Sequence, residues 1–151
     1  MMNFFDKQEL KALGVIFGIL LIISVPNFAL SIKRARDLTR KNDIRDLAQA
    51  AEKYNEKYFF FPDGIAPLAE FLPAVPQDPQ TGEGLKYVYI SNSRRFQIYA
   101  SLEDKNQDEY SAAIEKRNIS CGTRICNFGR AYGKTPLGVS LEEYEQSLYS
   151  R

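Results

Sequence analysis

The chain has 151 residues, a formal net charge of +1, two cysteines, and neither histidine nor tryptophan. A near-neutral chain offers no basic field for nucleic acid, so no direct nucleic-acid partner is expected. The lack of histidine removes the commonest general base and the commonest zinc ligand. The length suits one domain with an appendage.

The first element is an uncharged run, Ala12 to Leu30, with the sequence ALGVIFGILLIISVPNFAL. As a helix it spans roughly 28 Å, close to the ~30 Å hydrocarbon core of a bilayer. It is apolar on every face, and the rest of the chain is too small to wrap it, which argues against a buried helix of a soluble domain. No small-x-small cleavage site follows it, which argues against a cleaved secretory signal. Residues 1–30 are therefore expected to form a transmembrane helix, with a kink or loosening between Ile22 and Pro26 because proline removes one backbone donor. Gly14 and Gly18 share a face and permit close helix–helix approach.

The segment from Ser31 to Tyr58 has no glycine or proline and is rich in helix formers. Ile44, Leu47, Ala48, Ala51, Tyr54 and Tyr58 fall on one stripe at helical spacing. The first helix is thus expected to run on to about Tyr58, with a second half whose stripe needs a partner. Lys33, Arg34, Arg36, Arg40 and Lys41 form a basic flank. It reads either as a contact for anionic headgroups or as a solvated face. The positive-inside rule would place this flank in the cytoplasm.

Residues 59–115 are expected to form loop and sheet. Phe61 to Gly84 is dense in proline and glycine, with a helical turn at Pro67 to Phe71. Leu85, Tyr87 and Tyr89 alternate, Asn92 and Ser93 supply a turn, and Phe96, Ile98, Ala100 and Leu102 alternate again, which predicts a β-hairpin. A hairpin needs further cover, so it should pack on the helix stripe, with a third strand expected from Tyr110 to Ile114. Asp104, Asn106, Asp108 and Glu115 match positions one, three, five and twelve of a calcium loop, but Glu109 stands where the turn requires glycine. The stretch is read as a solvated acidic loop, with calcium as the one cofactor that the pattern suggests.

Residues 116–151 hold the two cysteines and a short helix. Two thiols cannot complete a structural zinc site, and in an extracytoplasmic chain Cys121 and Cys126 are expected to form a disulfide, the alternative being two free thiols. Asn118-Ile119-Ser120 is a glycosylation sequon of the kind that arises often by chance. Ser140 and Glu143 form a capping-box pattern that opens a helix over Leu141 to Leu148. No nucleophile–base pair, phosphate loop or metal cluster is evident in the sequence, so no enzyme activity is expected.

Phe5, Glu9 and Pro26-Asn27-Phe28 stand at the spacing found in type IV pilins and the major pseudopilins of type II secretion, where a mature chain starts with Phe and carries Glu four residues later. The helix text RARDLTRKNDIRDLAQAAEKYNEKYFFFPD and the stretch VPQDPQTGEGLKYVYI are also similar to that family, so the resemblance covers residues 5 to 103. It implies a pilin-like α+β fold and a single-pass membrane protein. It also implies an extracytoplasmic C-terminal head over residues 31–151 and assembly into a pilus or secretion pseudopilus filament, at the cell surface in the pilus case. The partners it implies are further copies or related pilin-like subunits and the assembly machinery. Phe5 would be the processed and methylated N-terminus, Glu9 would meet a neighbour's free amine, and the alternative for Glu9 is a helix cap with Asp6. The chain departs from the family at Phe4, where the leader ends in Gly, and at the polar Asp6, Lys7, Gln8 and Lys11. These departures motivate the rival expectation: an uncleaved, membrane-anchored binding protein that does not polymerise.

Overall fold

A computed structural model describes residues 7–150. The chain divides into two compact units, one ending at Ala35 and the other beginning at Arg36. One helix, α1 (Lys7–Tyr58, 52 residues), contributes to both. Pro26 lies within it. The fold is α+β, with this long N-terminal helix and a small antiparallel sheet.

In the second unit, α1 supplies the stripe predicted from its spacing. Ile44, Leu47, Ala48 and Ala51 are buried, joined by Ala50, and Tyr54 packs against them. Their cover is the sheet β1 (Val88–Ser91), β2 (Phe96–Ala100) and β3 (Phe128–Ala131), in that order and antiparallel throughout. Phe96, Ile98, Ala100 and Phe128 join the α1 stripe in one core, together with Phe61, Leu68, Tyr87 and Leu102. The hairpin turn falls where expected. Asn92 Oδ1 accepts from the amides of Arg94 (3.3 Å) and Arg95 (3.0 Å), and Ser93 takes φ 67°.

The third strand is not where the sequence placed it. Tyr110 to Ile114 leads into α2 (Ala112–Lys116), because Ser111 caps a helix start through its Oγ and two alanines follow. The strand is instead Phe128–Ala131, too short and too glycine-broken to alternate visibly. Gly129 is required there: a Cβ would lie 2.4 Å from the Ile98 carbonyl oxygen and 2.9 Å from the Tyr99 ring.

The hairpin's second face is also covered. Every residue of β2 is buried. Tyr99 packs with Ile114, Cys121 and Cys126 in a separate core, against which Ile119 and Leu137 lie. Burial on both faces explains why the central strand carries Gln97 and Tyr99 at positions that a one-sided sheet would give to solvent. The 3-10 turn at Ala66–Phe71 and α3 (Leu141–Tyr149) match expectation, and Ser140 and Glu143 form both hydrogen bonds of the capping box.

Candidate functional site

Two features carry chemistry: an exposed apolar helix in the first unit and a buried ionic knot in the second. In the first, α1 is long and apolar enough to cross a membrane, and none of its apolar window is buried. Val15, Ile16, Phe17, Ile19, Leu20, Ile22, Ile23 and Phe28 are all exposed. Two polar side chains, Asn27 and Ser31, fold onto the helix itself. Asn27 Nδ2 donates to the Ile23 carbonyl and Ser31 Oγ to the Asn27 carbonyl, each at 2.9 Å. Such back-bonding satisfies polar groups where no water is at hand. Glu9 lies in the first turn of α1, where a carboxylate suits the helix dipole. Phe5 and Asp6 lie outside the described residues.

The second feature corrects the reading of the basic flank as a headgroup contact or solvated face at three of its five residues, Arg36, Arg40 and Lys41; Lys33 and Arg34 are exposed. Arg40 is fully buried. Its Nε and Nη2 form a fork to Asp78 at 2.8 and 3.0 Å. Its Nη1 reaches Asp37 (2.9 Å) and Glu103 (3.0 Å), and Nη2 also donates to Gln80 (2.7 Å). Arg36 makes its own fork to Glu103, with both bonds 2.6 Å. Lys41 pairs with Glu109 at 2.7 Å. Arg36, Arg40 and Lys41 therefore help to hold the head together. Helical spacing puts Arg36, Asp37 and Arg40 on neighbouring turns. The sequence contains that spacing, but the acids that meet it, at 78 and 103, are far away in the chain.

Charge and protonation follow from this packing. The hydrogen bonds from Arg36, reinforced by Arg40 and opposed by burial, lower the Glu103 carboxyl to about 2. Burial works against the charge on Arg40, but its bonds with Asp78 and Glu103 prevail and its pKa is raised. Asp37, also buried, accepts the amides of Glu103 and Asp104 as well as Gln107 Nε2 at 2.8 Å. One helical carboxylate thus fixes the start of the loop after β2.

That loop contains the calcium-like pattern. Asp104 Oδ1 accepts from the Asn106 amide at 3.0 Å. Glu115 lies in α2, with Lys105 Nζ at 2.6 Å and the Tyr110 hydroxyl also on its carboxylate. Among the described residues, no three acidic, histidine or cysteine side chains are gathered to hold a metal.

The expected disulfide is formed between Cys121 and Cys126. Its loop fits against the segment before β1. Lys86 N donates to the Cys121 carbonyl at 3.1 Å, and Thr123 Oγ1 to the Glu83 carbonyl at 3.2 Å. Gly122 adopts φ 91°, and a Cβ there would sit 1.9 Å from the Gly84 oxygen. A second polar knot ties the C-terminal segment to β2. Gln97 Nε2 donates to the carbonyls of Pro136 (2.6 Å) and Val139 (2.9 Å), while Arg117 Nη1 donates to Gln97 Oε1 (3.1 Å) and the Leu137 carbonyl (3.0 Å). Sequence reasoning missed this knot. A glutamine in an otherwise apolar strand was its one visible sign. Comparison with protein-family models, with curated proteins and with solved structures finds no significant match to the chain.

Proposed function

We propose that the chain is a membrane-anchored structural subunit of a type IV pilus-like or type II secretion pseudopilus filament, with its head extracytoplasmic. The observation that carries this reading is the division of labour along α1. Its first part exposes apolar side chains on every face, and its second part is the spine of a disulfide-bearing head. A surface such as the first part is covered by lipid or by other helices. A disulfide suits an oxidising compartment. The positive-inside objection weakens, because Arg36, Arg40 and Lys41 have structural partners inside the head.

The pilin-like resemblance supplies the filament. In that reading Val15 to Phe28 pack the filament core, and Glu9 meets the free amine of a neighbour processed at Phe5. A second reading, an anchored binding protein that does not polymerise, is favoured by Lys7 and Lys11 flanking Glu9 at the start of α1. Intact mass and N-terminal sequencing of the protein from its native membranes, with protease added to the outer side of the sealed membrane, test the choice. A methylated chain starting at Phe5 with a protease-accessible head is expected. A head protected from outside protease would overturn the orientation, and an unprocessed N-terminus would remove the amine that Glu9 requires.

A further inference from the structure

Phe59 ends α1 in an unusual way. It takes φ 65° at the position after the helix, with its amide donating to the Asn55 carbonyl at 2.8 Å. That left-handed position favours glycine, and a bulky side chain there is costly. The ring is 89% exposed. It takes no part in the aromatic cluster that Tyr54, Tyr58, Phe60 and Phe71 form beside it. The fold therefore holds a large apolar side chain out into solvent on a strained backbone.

Elsewhere on the same head is an open pocket of about 190 Å³, with apolar walls from Ile65, Val75, Pro76 and Leu85. Tyr87 also lines it, and its hydroxyl is anchored on Asp43 at 2.5 Å. Gln77, Thr81 and Asp78, the last paired with Arg40, join the lining, and the volume exceeds the ~150 Å³ of a cavity that accepts benzene, so a phenyl ring has room. The charges around the two features are complementary. Lys86 stands exposed on the pocket wall, and Glu56 and Asp63 are exposed on either side of Phe59 in sequence. Among the described residues none of these three has an ion-pair partner.

We propose that Phe59 of one copy seats in the Ile65–Tyr87 pocket of the next copy, a head-to-tail contact that sets the stagger between heads. The inference rests on the filament reading and adds the contact that the heads make. The pocket wall is tied to α1 at Asp43, whereas Phe59 follows the C-terminal end of that helix, and the pocket takes Ile65 from the segment after Phe59. Two different patches make a heterologous contact, which propagates as an open helix unless the rotation happens to close a ring. A single ring buries roughly 150–250 Å², well short of the ~1,000 Å² that an independent complex needs. The contact therefore guides an assembly whose copies are already gathered by their helices.

The test uses the full chain in membranes with Glu56→Cys and Lys86→Cys together, the native disulfide retained, oxidised and run without reductant. Glu56 lies one turn before Phe59, so the ring is preserved. The double variant should give a ladder of dimers, trimers and longer species, and each single variant should stay monomeric. Adding Phe59→Gly should cut the ladder about tenfold or more, the equivalent of one lost buried ring. The same substitution should leave the head's melting temperature unchanged or raised, because the strained position is relieved. A ladder that survives Phe59→Gly, or a head that melts lower with it, would overturn the proposal. A photo-crosslinking residue at Ile19 separates this failure from that of the filament reading. If helix crosslinks form while the 56–86 ladder is absent, only the head contact falls; if neither forms, both fall.

Discussion

Arg40→Met removes the centre of the ionic knot while keeping most of the side chain's bulk. Five hydrogen bonds are lost, to Asp78 (two), Asp37, Glu103 and Gln80. More costly is what stays behind. Asp37 and Asp78 are buried carboxylates that would face each other without a cation. Removing one partner of a buried pair costs about 3–5 kcal/mol, mostly as the penalty of the orphaned charge. That is a large share of the ~5–15 kcal/mol that holds a domain folded. The assay is urea unfolding of the full chain in detergent, followed by a tertiary-structure signal from the tyrosines of the head. At pH 7 the midpoint should fall sharply. Arg40→Lys should lose less, because it keeps the charge and forfeits the fork. The deficit of Arg40→Met should narrow as pH falls from about 4.5 toward about 2, because Glu103, which Arg40 helps to hold below its ordinary value, takes up its proton over that range. A loss below about 1 kcal/mol at pH 7, within the range of an exposed ion pair, would refute the reasoning. So would a deficit that stays constant with pH, which would point to lost packing alone.

Three further outcomes are expected. Glu103 has a folded-state pKa below its ordinary value, so its contribution is present above about 4.5 and is lost as pH falls toward about 2. A shift of this size corresponds to about 3 kcal/mol, and Glu103→Gln should flatten that part of the stability–pH curve; an unchanged acid limb would count against the Arg36 fork. Replacing Cys121 and Cys126 together with alanine should lower stability by about 2 kcal/mol, as expected for so short a loop, measured by thermal unfolding against the oxidised parent. Ile16→Arg places a charge within the apolar window at a cost of about 2.5–3.5 kcal/mol and should shift the protein toward the carbonate-extractable fraction; full retention in the membrane pellet would speak against a bilayer-spanning role.

Much of the fold was legible because its signals are local and periodic. The uncharged run, the stripe from Ile44 to Ala51, the Asn92–Ser93 turn and the Ser140–Glu143 box each lie within one continuous stretch of chain, and each is found in the structure. What the sequence hid is long-range. Arg36 and Arg40 read as part of a headgroup-contacting or solvated basic face because their partners, Glu103 and Asp78, are more than sixty and some forty residues away. The third strand was misplaced because Ser111 stops an extended run by capping a helix turn, and because Gly129 and Arg130 break the alternation of the true strand. Nothing in the neighbours of Phe59 announces its left-handed backbone. Glu9 sits in the first turn of α1, while Phe5, its partner in the assembly reading, lies outside the described residues. Glu115 falls at the calcium-loop interval but on a helix, beside Lys105 and Tyr110.

The central claim is that copies of this chain assemble through the apolar part of α1. The most direct measurement places a photo-crosslinking amino acid at Ile19 in the full chain, irradiates sealed membranes, and separates the products by size. The account predicts a ladder extending beyond dimers, because each helix in a bundle touches several neighbours. Products confined to the monomer and to lipid adducts would contradict it and leave a solitary membrane-anchored head.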